Sequence, residues 1–460
     1  MLSLNKENLN RNLKSRHIQM IAIGGSIGVG LFKGASGTIQ LAGPAVLLAY
    51  IVVGLITYII MRSLGEISVE YPISGSFSAY ANEFISPSMG YITGWSYWFL
   101  WAFACMAEIT AVGGYMQYWF PDTPGWLWAL ASLVLLTIIN LSNVKMFGEI
   151  EFWFALIKVI TIIALIIGGL AIIIINFVNS DFQEIGFSNL WSHGGLFPKG
   201  IESVIFAMGP VAASFVGVET IGLTAGEAEN PEKTLPSAIN KVIVRVCIFY
   251  IGSLFVIMSL FPWNQMDPEN SAFVLTFDQI GLKSAAGVIN FVVLTAALSA
   301  CNSGIFSSGR MLHTLASQDC APRVLQKLNK KNIPVFAVLT STFFMLIGVV
   351  LFFVFPKGAF NMVLSAAVVA GMFIWAIILI TQIKFRKTLN NEQINELKYK
   401  SILFPYANYT TLGLLVLILV MCALNDKFSA GVFLFPIWLV ILTIAYKIQK
   451  SIKDKIHHEN

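Results

Sequence analysis

Charge is scarce in this chain. Of its 460 residues, 12% are Asp, Glu, Lys or Arg and 57% are hydrophobic, against roughly 25% charged in soluble domains. A water-soluble globular protein is excluded on that ground. Cysteine and histidine are scarce too, at five each. Cys105, Cys247, Cys301 and Cys422 fall in apolar runs and Cys320 falls in a loop read below as internal. No disulfide framework is expected, and the spacing resembles no metal site. His17, His193, His313, His457 and His458 are scattered at interfaces and tails, with no nucleophile–His–Asp set and no His-Glu-x-x-His pattern. Neither an enzyme nor a cofactor or metal is expected. No basic cluster points to nucleic acid.

What the chain has instead is apolar length. About twelve runs are each long enough to cross a hydrocarbon core of about 30 Å: 17–42, 44–63, 95–119, 126–143, 152–177, 200–225, 240–262, 285–313, 334–355, 359–382, 404–424 and 429–448. The gaps between them, at most about 20 to 30 residues, leave no room for a soluble domain. No short apolar stretch with a cleavage site precedes the first run, so no cleavable signal peptide is expected. With both termini in the cytoplasm, 23 of the 29 Lys and Arg residues lie in inner tails and loops and four (Lys199, Lys283, Lys357, Lys427) lie outside. Lys33 and Lys158 lie within spans. This bias sets the orientation and requires an even number of crossings. The net charge of +5 is therefore a topology signal. Trp119, Trp126 and Trp263 are expected at headgroup level.

Two of the runs are interrupted. Gly24-Gly25-Ser26-Ile27-Gly28-Val29-Gly30 breaks the first, and Met208-Gly209-Pro210 through Ser214-Phe215-Val216-Gly217-Val218-Glu219 breaks the sixth. Broken helices at matching places in two halves point to the binding site of a secondary transporter. Five spans per half invert the second copy, which predicts an all-α membrane protein with a five-plus-five inverted repeat and two appended helices. The expected organisation is a cytoplasmic arm over 1–16, a first repeat over 17–178 and an external loop over 179–199. A second repeat over 200–383, a cytoplasmic loop over 384–403, helices eleven and twelve over 404–448 and a cytoplasmic tail over 449–460 complete it. The turn-rich segment from Glu66 to Met89 is expected to carry a short interfacial helix.

The breaks carry chemistry. Each glycine weakens a helix by about 1 kcal/mol relative to alanine, and lipid cannot satisfy the backbone groups that unwinding frees. A half-helix starting near Gly28 would offer the N–H groups of Gly28, Val29 and Gly30 to a carboxylate. Without a Gly-Lys-Ser/Thr ending or a preceding strand, the run is not a phosphate loop. The half-helix ending near Ala213-Ser214 would offer unpaired carbonyls to an ammonium group. Together they match an α-amino acid zwitterion. Phe215 is either a gate over the substrate or a packing residue.

Three ionisable residues lie inside spans. A charged lysine at mid-helix costs about 2.5–3.5 kcal/mol on insertion scales, so Lys158 is either paired and functional, exchanging a proton during transport, or snorkels to the inner surface. Glu108 either contacts substrate or relays protons, or makes a structural hydrogen bond. Glu219, directly after the second break, would bridge spans or sense protonation. Ser299 and Asn302 either face the coupling site or serve helix packing.

Four stretches together resemble the amino acid–polyamine–organocation superfamily, in its bacterial amino-acid permease branch. They are Ile23-Gly24-Gly25-Ser26-Ile27-Gly28-Val29-Gly30-Leu31-Phe32, Gly148-Glu149-Ile150-Glu151-Phe152-Trp153-Phe154, Ser214-Phe215-Val216-Gly217-Val218-Glu219 and Gly226-Glu227-Ala228-Glu229-Asn230-Pro231. The similarity runs over nearly the whole chain. It implies twelve spans, broken first and sixth helices, and proton-driven amino-acid uptake. It also implies that the backbone at Gly28, Val29 and Gly30 meets the carboxylate, while Ser26 and the carbonyls from Ala213 to Val216, with Gly217 following, meet the amino group. Lys158 takes the place that a sodium ion occupies in sodium-coupled relatives. Many relatives have Ser or Thr where this chain has Val29, which resembles the proline, threonine and serine permeases and implies a small neutral substrate. The expected function is import of such an amino acid with a proton across the cytoplasmic membrane, so that amino acid, proton and membrane lipid are the partners. An exchanger of the same fold, or a nutrient sensor, is the alternative.

Overall fold

The computed structural model describes residues 27–73, 75–142, 144–179, 185–223, 230–268 and 270–459. Every element among them is helical. Eleven helices are long and apolar enough to cross a membrane, against about twelve runs in the sequence. The difference lies at the start. The first half of span one falls outside the described residues, and its second half (α1, Val29–Phe32, and α2, Gly34–Ala42) joins α3 (Val46–Glu70) through one 3₁₀ turn at Gly43–Ala45.

The segment after α3 does hold a short helix, α4 (Ser76–Phe84), but Phe77, Tyr80 and Ala81 bury it in the protein and not at the interface. The long third span, α5 (Pro87–Gln117), starts on a Ser86 cap with Pro87 in its first turn, where a missing N–H costs nothing. α6 (Gly125–Ser142) and α7 (Val144–Asn179) complete the first half. The external loop expected over 179–199 carries a 3₁₀ turn at Phe187–Leu190.

The second half follows with α8 (Glu202–Ala212) and the one-turn α9 (Thr220–Leu223), then α10 (Pro231–Arg245) and α11 (Ser253–Leu260). A π-helical turn at Val246–Gly252 joins α10 to α11. Beyond a short α12 (Ala272–Gln279) lie α13 (Lys283–Ser317), α14 (Val335–Val354) and α15 (Ala359–Lys387). A loop containing α16 (Asn391–Glu396) leads to α17 (Tyr406–Ala423) and α18 (Ser429–Glu459).

Burial sorts these helices into centre and rim. In α15, 83% of the membrane-length window is buried, whereas in α18 the figure is 17%. α7 shows the rim pattern in detail. Glu151, Ala155, Lys158, Ile162, Leu165 and Ile173 are buried, while Trp153, Ile160, Ile163, Ile167, Ile174 and Ile175 are exposed. That is one stripe at helical spacing turned inward, and its polar members are Glu151 and Lys158. Trp119 is exposed, as a headgroup residue should be, but Trp263 is buried beneath the Lys199 ammonium. Its 3₁₀ turn at Trp263–Gln265 folds back onto the Gly43 turn and keeps it from the interface. None of the five cysteines forms a disulfide among the described residues.

Candidate functional site

At the first break Gly28 is extended (φ −123°, ψ −158°) and a helix starts at Val29. The Gly28 carbonyl accepts from Leu31 and Phe32, at 3.2 and 3.4 Å. The Val29 N–H, in the first turn, has no intrahelical acceptor and points at the Glu108 carboxylate, 3.3 Å from each oxygen. Glu108 reaches it from the buried face of α5. On the other side the Lys158 ammonium of α7 donates to the Ile27 carbonyl at 3.2 Å. Two neighbouring backbone groups, freed by the interruption, thus meet an anion and a cation from different helices. Charge-assisted bonds of this kind are about twice as strong as neutral ones, and in lipid something must supply them.

The expectation for this half-helix therefore changes in one respect. The Val29 N–H is not waiting open for an incoming carboxylate, because the protein's own carboxylate stands on it. The reason lies in Glu108 itself: a buried carboxylate without donors costs several kcal/mol. Lys158 does not snorkel, since it is fully buried. Its charge interacts with Glu151 and with Glu108. Gly24, Gly25 and Ser26 lie outside the described residues, as do Gly226, Glu227, Ala228 and Glu229 of the resemblance.

The second break is built differently. α8 tightens into a 3₁₀ turn over Ala213–Phe215, and Val216 (ψ 133°) leaves helical geometry. Gly217 follows at φ 100°, a left-handed conformation that a side chain would strain. Glu219 then folds back on its own turn. One of its oxygens accepts from the Gly217 N–H and from the Trp375 indole of α15, both at 3.2 Å.

The Ser214 carbonyl, expected to be unpaired, accepts from the Tyr250 hydroxyl at 2.8 Å. The π-helical turn places Tyr250 there, a common use of that irregularity. The Ser214 hydroxyl lies 3.3 Å from that of Tyr50. Phe215 stacks on Tyr250 with ring centres 4.9 Å apart and planes 9° apart, and Tyr50 closes the trio. In this arrangement the Phe215 ring is fully buried.

The two breaks meet. A Cβ added to Gly30 would fall 2.5 Å from the Ala213 carbonyl oxygen and 2.8 Å from the Ser214 nitrogen, so only glycine permits this backbone contact. Gly28, Val29, Gly30, Glu108, Lys158, Ala213, Ser214 and Phe215 thus belong to one centre. The small polar pair on α13 divides. Ser299 donates to both Glu151 oxygens at 2.9 and 3.0 Å, which places it beside the Lys158 stripe. Asn302 instead accepts from Asn140 of α6 at 2.8 Å.

Sequence reasoning missed Glu151, Tyr250, Tyr50 and Trp375. Only Glu151 carried a signal: it precedes Lys158 by seven residues, two turns along one face. The aromatic residues reach the second break from α3, the π turn and α15, and nothing in the sequence relates those positions.

Among the described residues, eleven membrane-length helices surround a buried meeting of two irregular backbone stretches, an arrangement that fits a multi-pass membrane transporter. Residues 17–458 match the amino acid permease family, and the chain belongs to that family. It is 50% identical over 96% of its length to an uncharacterized amino acid permease (YtnA) of Bacillus subtilis, covering 95% of that protein. A probable threonine/serine transporter (YbxG) of the same organism is 47% identical, with 96% of this chain and 95% of the relative covered. The aromatic amino acid transport protein AroP of Escherichia coli O6:H1 is 42% identical, with 97% and 98% covered.

Proposed function

We propose that the protein imports a small neutral L-amino acid together with a proton, by alternating access, across the bacterial inner membrane with both termini in the cytoplasm. The observation that carries this reading is the contact of the helical turn at Gly30, just after the first break, with the 3₁₀ turn at Ala213, flanked by a carboxylate and an ammonium. A zwitterion presents the same two charges. Backbone at Gly28, Val29 and Gly30 would take its carboxylate, with Glu108 yielding the Val29 N–H, and the carbonyls of Ala213 and Val216 would take its amino group with Ser26.

Lys158 and Glu219 are the coupling groups in this reading, with Ser299 acting through Glu151 and Asn302 more remotely. Five-helix repeats over 17–178 and 200–383 would supply the symmetry that exchanges the two open states. Threonine and serine are favoured over bulkier substrates by Val29 and by the name of the probable threonine/serine relative. One co-transported charge at 100 mV supplies about 2.3 kcal/mol, roughly a 50-fold accumulation.

The test is a thermal-shift panel of the twenty amino acids on purified protein, followed by uptake into proteoliposomes with an imposed pH gradient. Stabilisation by serine or threonine and gradient-driven accumulation are the expected results. Counterflow without any response to the gradient would make the protein an exchanger.

A further inference from the structure

The loop between α15 and α17 meets the ends of four helices through a dense set of polar groups, beside the buried Leu397 and Tyr399. Glu66, near the end of α3, is fully buried. Its carboxylate accepts from the Gln382 amide at 2.8 Å and from both forks of the Arg386 guanidinium at 2.6 and 2.7 Å. It also accepts from the Ser401 N–H at 2.5 Å. Asn408 of α17 donates to Gln382 at 2.8 Å, and the Ser63 and Ser401 hydroxyls lie 3.4 Å apart. Further along the loop the Tyr399 hydroxyl donates to Asn240 of α10 at 3.0 Å, and the Arg62 guanidinium lies over its ring. Burial pushes the Tyr399 phenol up to about 12, so it stays a donor. Lys398 bonds the Glu70 carboxylate through its N–H and that of Glu232 through its ammonium.

Two facts about this cluster set it apart from ordinary packing. First, α3 and α10 are the first long helices that follow the two breaks along the chain, so displacement of the half-helices would reach Arg62, Ser63, Glu66, Glu70, Glu232 and Asn240. Secondly, a buried ion pair adds little stability over well-packed apolar residues of similar size. Its members, however, are readily hydrated when parted. An interface of charges, hydroxyls and amides at the water-facing edge of the bundle is suited to opening in a way that the apolar interior is not.

We propose that residues 388–405 form a releasable strap, which holds α3 and α10 against α15 and α17 while the basic face is closed and lets go when the transporter opens to that side. The inference rests on the alternating-access reading. Ser401 fastens the strap to the Glu66–Arg386 pair that joins α3 to α15, Tyr399 and Lys398 make the lateral contacts to α10, and the hydrogen bonds re-form when the face closes.

The test is a reversible cross-link. Ser63→Cys and Ser401→Cys are introduced together, with Cys247 and Cys320 changed to Ala. The side chains already touch, so a disulfide is within reach. Radiolabelled L-threonine and L-serine counterflow is measured in proteoliposomes before oxidation, after oxidation and after reduction. The expected result is at least a tenfold loss of transport on oxidation, with recovery on reduction, while each single-cysteine variant ignores the oxidant. Undiminished transport by cross-linked protein would make the loop static and overturn the proposal. Loss that reduction cannot reverse, or failure of the bridge to form, would overturn it as well. Should the reduced protein carry neither amino acid nor any other that the thermal-shift panel identifies, the transport reading fails, and the strap with it. A second measure leaves out the designed pair and combines Ser401→Cys alone with Glu66→Gln. Modification of the introduced thiol by a water-soluble maleimide should speed up severalfold relative to Ser401→Cys with Glu66 intact, and an unchanged rate would count against release.

Discussion

The two breaks solve one problem by opposite means. Each must satisfy backbone groups that no lipid can bond. At the first, distant helices send charges: Glu108 to the Val29 N–H and Lys158 to the Ile27 carbonyl. At the second the turn supplies its own anion, Glu219, and neutral aromatic donors do the rest through Tyr250 and Trp375. A break held by charges from elsewhere answers to anything that changes those charges, including a proton or a zwitterion. A break held by neutral donors and ring stacking keeps its shape. The first is thus suited to sensing through charges sent from other helices, and the second to bearing load around its own carboxylate, Glu219.

The sharpest way to break this contrast is to force the two apart. Gly30→Ala places a methyl group against the Ala213 carbonyl. Forcing a methyl group into a packed contact costs about 1–3 kcal/mol, and amino-acid affinity measured by calorimetry should fall by roughly tenfold or more. Next comes the charge on the sensing side. Lys158→Ala should abolish pH-driven accumulation in proteoliposomes while counterflow continues at a lower rate; undiminished accumulation would remove Lys158 from the coupling step.

On the bearing side the effects should be structural and smaller. Trp375→Phe removes one of two donors to Glu219, and hydrogen bonds to charged groups contribute about 1.5–3 kcal/mol. A lowered melting temperature is expected, with a change in the pH response smaller than that of Lys158→Ala because Glu219 keeps its bond from Gly217. Tyr250→Phe removes a neutral donor, for about 1 kcal/mol, and leaves the stack with Phe215 in place. A large change in coupling from either variant would erase the distinction between the breaks. Smallest of all, Lys398→Ala cuts a solvent-exposed pair with Glu232; such pairs contribute little, and no change in melting temperature should be measurable.

Some of this is legible residue by residue. Lys158 announces itself because a lysine at that depth needs a reason, and Gly217 because a helix does not tolerate its geometry. The stripe of α7 can be read as far as Lys158, while Glu151 seven residues earlier escapes assignment because a carboxylate near a span end also suits the interface. The carbonyl of Ser214 looks open in the sequence and is not. Its donor, Tyr250, owes its aim to a π turn that no residue pattern announces. Trp263 departs from its expected place for a similar reason: its exposure depends on a loop folding back over the Gly43 turn.

Hydropathy and glycine spacing are local properties, and by themselves they determined that this chain crosses a membrane many times and unwinds twice on the way. Which helix presents a charge to which loosened peptide depends on residues about 80 to 130 positions apart finding the same few ångströms. That was decided by helix packing alone, since an exposed N–H or carbonyl in a dry interior accepts whichever partner the surrounding helices bring within reach.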